Sequence, residues 1–288
     1  MGLVVFDIGG TAVKYGFWSD ETLTEQGKFS TPKSFDEMKE EMLRVVKTHQ
    51  GKQIDGIAIS SPGAVNVDQR RIDGLSAVPY LHEYPVFDEL EALFNLPVTI
   101  ENDANCAGIA EIELGAGKKA TNAVFLVLGT GVGGSIFINR KLYKGSHLFG
   151  GEFGLLVSES DRPLSNVGSI VKVANKYEAQ TGKQVDGKAI FELLEEEDSL
   201  AMELVDEMYW AIAHALYNVQ VSIDPELIII GGGVSKRKEV SIEIANRLKS
   251  LLEKRSVPEI MPVIETCHFS NDANLIGAAM NFVSLNLN

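Results

Sequence analysis

The stretch Ala123-Val-Phe-Leu-Val-Leu-Gly129-Thr-Gly-Val-Gly-Gly-Ser135-Ile-Phe-Ile-Asn-Arg140 decides how this chain is to be read. It opens as a short apolar, β-branched run, the mark of a buried strand. Gly129, Gly131 and Gly134 then satisfy the spacing GxGxxG. A dinucleotide fingerprint has to open a helix, because the pyrophosphate rests on the helix N-terminus. Here Ser135–Leu142 reads as a return strand, so the glycine turn over Gly129–Gly134 joins the two arms of a hairpin. The start of the chain has the same design: Met1–Asp7 is a strand, Gly9-Gly10 breaks it, and Ala12–Trp18 returns. A Walker loop is absent, since the nearest stretch, Gly115-Ala-Gly117-Lys118-Lys119, fails GxxxxGK[ST].

Each hairpin is followed by alternating helices and strands. After the first, Ser34 is a candidate N-cap for a helix carrying Phe35, Met38, Met42, Val45, Val46 and His49 on one face. Strands are expected at Ile54–Ser60 and Leu96–Ile100, and a helix from Ala104 to about Leu114. After the second, helices are expected at about Gly168–Thr181, Ala189–Glu197 and Leu200–Ser222. A strand at Leu227–Ile230, a helix at Val240–Lys254, a strand at Met261–Thr266 and a helix at Ala273–Leu285 complete the chain. The repetition predicts two related α/β domains with a cleft between them. Gly115–Thr121 is the expected boundary, giving a smaller domain of residues 1–114 plus 273–288 and a larger one of 115–272.

Composition narrows the function. The 288 residues carry a formal net charge of −14 and are 45% hydrophobic. That is a globular composition without the basic surplus a nucleic-acid phosphate backbone requires. No apolar run reaches membrane-spanning length, and the N-terminus lacks a signal-peptide pattern, so no membrane partner is expected and a cytoplasmic location is. Cys106 and Cys267, far apart, suit a reducing compartment and cannot build a structural zinc site on their own.

Four of the glycine clusters follow apolar strands: Asp7-Ile-Gly9-Gly10-Thr11, Ser60-Ser-Pro-Gly63, Gly129–Gly134 with Thr130, and Gly231-Gly232-Gly233. Successive backbone N–H groups at such turns form concave anion sites, and two of the clusters add a threonine hydroxyl. A phosphate ester is the ligand that fits four of them. Three carboxylates have both a plain and a chemical reading. Asp7 is either an Asx-turn residue or a carboxylate facing Mg²⁺. Asp103 is either a helix-start carboxylate or a general base for a hydroxyl attacking a phosphoryl group. Glu152, in Gly150-Gly-Glu-Phe-Gly154, is either a solvated loop acid or a bidentate acceptor for two sugar hydroxyls.

Taken together and in order, Asp7-x-Gly-Gly-Thr11, Ser61-Pro-Gly63, Glu101-Asn-Asp-Ala-Asn105, Leu128-Gly-Thr-Gly-Val-Gly-Gly134, Gly231-Gly-Gly233 and Ala273-Asn-Leu-Ile-Gly-Ala-Ala279 resemble the ROK sugar kinases. The resemblance implies two actin-like (ribonuclease H-like) α/β domains with an inter-domain active-site cleft, and ATP-dependent phosphorylation of a hexose or hexoside at its 6-hydroxyl. By position it implies that Asp7, Gly9, Gly10 and Thr11 form one phosphate loop, with Asp7 near Mg²⁺ through water and Lys14 adding charge. It implies that Gly129, Thr130, Gly131 and Gly133 form a second, and that Gly231, Gly232 and Gly233 pack on adenosine. Asn102 and Asp103 become the sugar-contacting pair, with Asp103 the catalytic base; Gly63 and Glu152 become further sugar contacts. A homodimer is compatible with the family, although the sequence marks no interface.

Two departures follow from the comparison with that family. Leu155 stands where the family carries a histidine, and Glu159–Gly168 contains no cysteine where the family has a zinc loop. No zinc site is expected, and the sugar pocket should be more open at the anomeric end, admitting glycosides such as β-glucosides. The alternatives are a kinase for N-acetylmannosamine or fructose, and a sugar-responsive regulator. The regulator reading is disfavoured because the first phosphate strand begins at residue 3 and the charge is adverse for DNA.

Overall fold

Leu3-Val-Val-Phe-Asp-Ile8 forms β1 (Leu3–Ile8), in which all six residues are buried. A strand covered on both faces belongs in the middle of a sheet. β1 pairs antiparallel with β2 (Ala12–Ser19) and parallel with β4 (Gly56–Ser61). Outside β2 lies β3 (Thr22–Ser30), a polar and largely exposed edge strand. The two-residue link between them, Asp20-Glu21, has positive φ at both positions, as a tight hairpin turn demands. The computed structural model describes residues 1–157 and 161–286.

Helix α1 (Phe35–Thr48) begins where Ser34 Oγ accepts from the Glu37 N–H, and it buries Phe35, Met38, Met42, Val45 and Val46. His49, on the same face by period, ends the helix instead, its ring stacked on Phe17. A small ribbon of β5 (Ala64–Asn66) and β6 (Arg71–Asp73) and the helix α2 (Val86–Phe94) lead into β7 (Val98–Asn102) and α3 (Asp103–Glu113). The first sheet has the order β3-β2-β1-β4-β7.

The second unit repeats the plan. β8 (Ala123–Leu128), β9 (Val132–Ile138) and β10 (Lys141–Leu142) make the antiparallel arm. The predicted return strand is thus two strands, split by Asn139-Arg140 with positive φ at both. Four helices follow: α4 (Leu164–Val167), α5 (Ile170–Thr181), α6 (Gly187–Glu195) and α7 (Ser199–Ile223). β11 (Leu227–Gly231), α8 (Lys238–Lys254) and β12 (Val263–Thr266) close the sheet in the order β10-β9-β8-β11-β12. Helix α9 (Ala273–Asn286) then packs against α3, β4 and β1.

The chain divides into two compact units, one of Met1–Leu114, Gly145–Phe149 and the segment beginning at Asn271, the other of Gly115–Lys144 and Gly150–Ser270. Against the boundaries drawn from sequence, Gly145–Phe149 groups with the first unit rather than the second. The return to the first unit starts two residues before α9, where Lys14 Nζ donates to the Asn271 carbonyl and Gln26 to Asp272. Each unit has its own hydrophobic core. Among the described residues no helix is long and apolar enough to cross a membrane.

Candidate active site

In the first unit the candidate residues gather at the carboxyl ends of three adjacent parallel strands, β1, β4 and β7, where open α/β sheets bind ligands. The register sets Lys14, Asp7, Ser60 and Glu101 abreast on β2, β1, β4 and β7. Residues abreast share a face, so this is one polar row across the sheet. Asp7 is 7% exposed, and its Oδ1 accepts from Ser60 Oγ at 2.8 Å and from Asn274 Nδ2, on α9, at 2.9 Å. Its Oδ2 lies 3.7 Å from Lys14 Nζ. Buried Glu101 is held likewise, Oε1 accepting from the Asn102 N–H and from Asn105 Nδ2. The Cys106 thiol lies buried among these carboxylates. Burial first, and then Glu101, Asp7 and Asp103, raise its pKa well above the ordinary value, which makes it a poor nucleophile.

At the end of β7 the chain turns into α3. Asn102, not Asp103, is the cap: its Oδ1 accepts from the Asn105 N–H at 3.1 Å. Its other end, Nδ2, donates to the Gly63 carbonyl at 3.1 Å. Asp103 is the first helical residue and its Oδ1 accepts from the Ala104 N–H at 2.8 Å. A carboxylate in the first turn of a helix interacts favourably with the helix dipole. Gly63 has φ +101, and a Cβ would stand 2.9 Å from the His82 ring, so no other residue fits. The His82 ring is itself fixed, Nδ1 by the Ile72 carbonyl and Nε2 by Ser76 Oγ. Gly63, Asn102 and Asp103, predicted together from sequence, are thus joined by direct hydrogen bonds and chain neighbourhood.

The turn after β1 is Gly9-Gly10-Thr11. The Gly9 N–H donates to the Ala12 carbonyl. Thr31 binds the turn twice, Oγ1 donating to the Gly9 carbonyl at 2.5 Å and its N–H to the Thr11 carbonyl at 3.1 Å. Gly10 and Thr11 are exposed. At Gly10 a side chain would run into Ala77.

The second unit carries its candidates at the matching place, the carboxyl ends of β8 and β11. The turn there is shorter than the sequence suggested. It comprises Gly129-Thr130-Gly131, while Gly133 and Gly134 are strand residues of β9 opposite Val127 and Leu126. The reason is packing. A side chain on Gly134 would overlap the Phe153 ring, and Gly151, with φ +94, lies against the Gly134 carbonyl. These contacts seat the Gly150–Gly154 loop that presents Glu152. Glu152 is exposed, and partial desolvation raises its carboxyl above the ordinary glutamate value. In the short 3₁₀ turn that follows, the exposed Leu155 returns its N–H to the Glu152 carbonyl at 3.1 Å.

The three glycines after β11 have distinct reasons. Gly231 makes room for the Phe125 ring, Gly232 has φ +93 against the Leu128 carbonyl, and Gly233 has open space where a side chain would go. Two recesses of about 560 and 700 Å³ lie among the helices of this unit, and neither is lined by a candidate residue. Of the stretch that lacks the family's cysteines, Glu159 and Ser160 lie outside the described residues.

Sequence reasoning missed Ser60, Asn274, Thr31, Ser165 and Ser169 as partners of the site. Two of them left a signal: Ser60 heads the glycine cluster that ends at Gly63, and Asn274 stands in the C-terminal motif.

Residues 3–283 match the family model described as the ROK family, and the chain belongs to that family. It is 33% identical to the β-glucoside kinase of Listeria monocytogenes, over 98% of each chain. It is 28% identical to the N-acetylmannosamine kinase of Haemophilus influenzae, over 97% of this chain and 94% of the other. A ROK family protein from Streptococcus pneumoniae, solved in complex with sucrose, superposes with a TM-score of 0.90 at 32% identity, covering 100% of this chain and 99% of that one. The two units therefore have the actin-like fold of the ROK sugar kinases.

Proposed function

We propose that this ROK sugar kinase transfers the γ-phosphoryl group of ATP to the 6-hydroxyl of a hexose or hexoside, with β-glucosides as the favoured substrate class. The observation that carries the reading is the Gly63–Asn102–Asp103 cluster: a carboxylate in the first turn of α3 beside an amide fixed by a glycine carbonyl. Asp103 takes the proton of the attacking hydroxyl, Asn102 and Gly63 orient the ring, and Glu152 accepts from two further hydroxyls. The attacking oxygen bonds to phosphorus as the bridging bond to ADP breaks. Phosphoryl transfer asks the protein for positioning and charge stabilisation, with one base for the nucleophile.

The nucleotide's phosphates fall to Gly9, Gly10, Thr11 and Lys14 and to Gly129, Thr130, Gly131 and Gly133; Gly231, Gly232 and Gly233 serve the adenosine. Asp7 fits a Mg²⁺ role through water. Two donors hold its Oδ1 and so fix the direction of Oδ2, and Mg²⁺ needs only one or two carboxylates beside substrate phosphates. When bound, the ion neutralises charge on the phosphates. The glycoside preference is supported by the β-glucoside kinase relative and the sucrose-bound one, and by exposed Leu155 beside Glu152.

Asp103→Asn tests the base: kcat should fall about 10²–10⁴-fold while sugar binding, followed by calorimetry, persists. Undiminished turnover removes the assignment. Coupled kinase assays with glucose, cellobiose, an aryl β-glucoside and N-acetylmannosamine, run side by side, identify the substrate class. Turnover of glucose or N-acetylmannosamine alone overturns the glycoside preference.

A further inference from the structure

The two glycine turns share a device that their sequences do not. In each, two consecutive exposed or half-exposed residues, Gly10-Thr11 and Thr130-Gly131, have backbone N–H groups with no hydrogen-bond partner among the described residues. In each, the carbonyl of the first glycine is captured by a hydroxyl from a later element. Thr31 Oγ1 donates to the Gly9 carbonyl at 2.5 Å, and Ser169 Oγ to the Gly129 carbonyl at 2.7 Å. Ser169 Oγ also reaches the Thr130 carbonyl at 3.0 Å, as the Thr31 N–H reaches that of Thr11 at 3.1 Å.

Ser169 makes the point sharper. It stands at the N-cap position of α5, where a serine hydroxyl ordinarily accepts from a free N–H of the first helical turn. Here it makes no such cap bond, and fully buried, it spends its proton on the turn. Ser165 adds a second clasp, accepting from the Val132 N–H at 3.0 Å and donating to the Val132 carbonyl at 3.2 Å. A peptide carbonyl and its neighbouring N–H point in opposed directions. Tying back the carbonyls of Gly9, Gly129 and Thr130 therefore turns the N–H groups of Gly10, Thr130 and Gly131 outward and keeps those oxygen lone pairs away from an anion.

We infer that Thr31 and Ser169 are positioning residues for the nucleotide, holding the two turns in the anion-binding form. This rests on the phosphate role proposed for the turns. The hydrogen bonds of both side chains go to the turns and not to the sugar candidates, so their loss should move one substrate and not the other.

The test is steady-state kinetics on the full chain with ATP and sugar varied separately. Thr31→Val and Ser169→Ala should each raise the KM for ATP about three- to tenfold, the range of a lost hydrogen bond, with the KM for sugar unchanged. Thr31→Ser, which keeps the hydroxyl, should restore the ATP value. The unchanged sugar KM also shows that each variant is folded. Unaltered ATP KM in both hydroxyl-less variants, or parallel rises for both substrates, overturns the inference. Thr11→Asp and Thr130→Asp, which set a carboxylate on each exposed turn, serve as references: if these leave the KM for ATP unchanged, the phosphate role itself has failed. If they raise it while Thr31→Val and Ser169→Ala do not, only the bracing role has failed.

Discussion

The two sheets have one strand order and opposite chemistry in the same row. Asp7 and Val127 each stand two residues before the first glycine of their turns. Abreast of Asp7 lie Lys14, Ser60 and Glu101; abreast of Val127 lie Gly133 and Gly231. The apolar runs that build the sheets are alike, so the fold places no demand on this row. What differs is its cost. A buried carboxylate must be hydrogen-bonded, and Asp7 and Glu101 each accept at least two bonds from protein groups. A glycine row needs no partners and leaves the backbone open to close approach by a flat ligand. In this row the first unit thus holds hydrogen-bonded charge, and the second holds uncharged residues.

The largest effect expected from this contrast comes from swapping the role of its central residue. Asp7→Asn should lower kcat about 10²–10³-fold, the scale of removing one preorganised electrostatic group, and should weaken Mg²⁺ dependence in a metal titration. Val127→Ala, at the matching place in the second unit, should change kcat less than about threefold. Comparable losses in both would end the distinction.

The glycines after β11 sharpen it next. Gly232→Ala meets both positive φ and the Leu128 carbonyl, and should lower unfolding free energy by about 2 kcal/mol or more in urea titrations. Gly233→Ala meets open space and should leave stability within about 0.5 kcal/mol while raising the KM for ATP. If Gly233→Ala binds ATP as well as the parent chain, adenosine packing at that residue is wrong.

The smallest effect concerns Glu152. Its raised pKa means that it protonates at a higher pH than an ordinary glutamate as the solution is acidified. As an acceptor for sugar hydroxyls it works ionised, so sugar affinity should be full above that pKa and fall as pH drops through it. Glu152→Gln should flatten this limb. A sugar KM that is independent of pH in the parent chain between about pH 4.5 and 7 would remove Glu152 from the site.

Much of the frame is legible in the amino-acid order. Strands β8 and β11 are continuous apolar runs closed by glycine, β1 is such a run interrupted only by Asp7, and α1 declares its start at Ser34. Less legible elements fail for stated reasons. β3 is a polar edge strand whose partner, β2, supplies the apolar face. β5 and β6, of three residues each, are too short for a period to accumulate, and α2 starts after Pro85 without the side-chain cap that marks α6. The second turn is three residues shorter than its glycines suggest because glycine signals permission and not conformation: Gly134 uses its missing side chain to let the Gly150–Gly154 loop close over a strand.

Local order in the chain determined the two hairpins, the cap of α1 and the list of candidate residues, because backbone preference and side-chain period act within a few residues. Tertiary structure alone decided how those residues are held. Asn274 reaches Asp7 across 267 positions, Ser169 reaches Gly129 across 40 and Thr31 reaches Gly9 across 22. No local pattern encodes such pairs. They form because the sheets bring distant segments to the carboxyl ends of the same parallel strands, where buried polar groups must find partners.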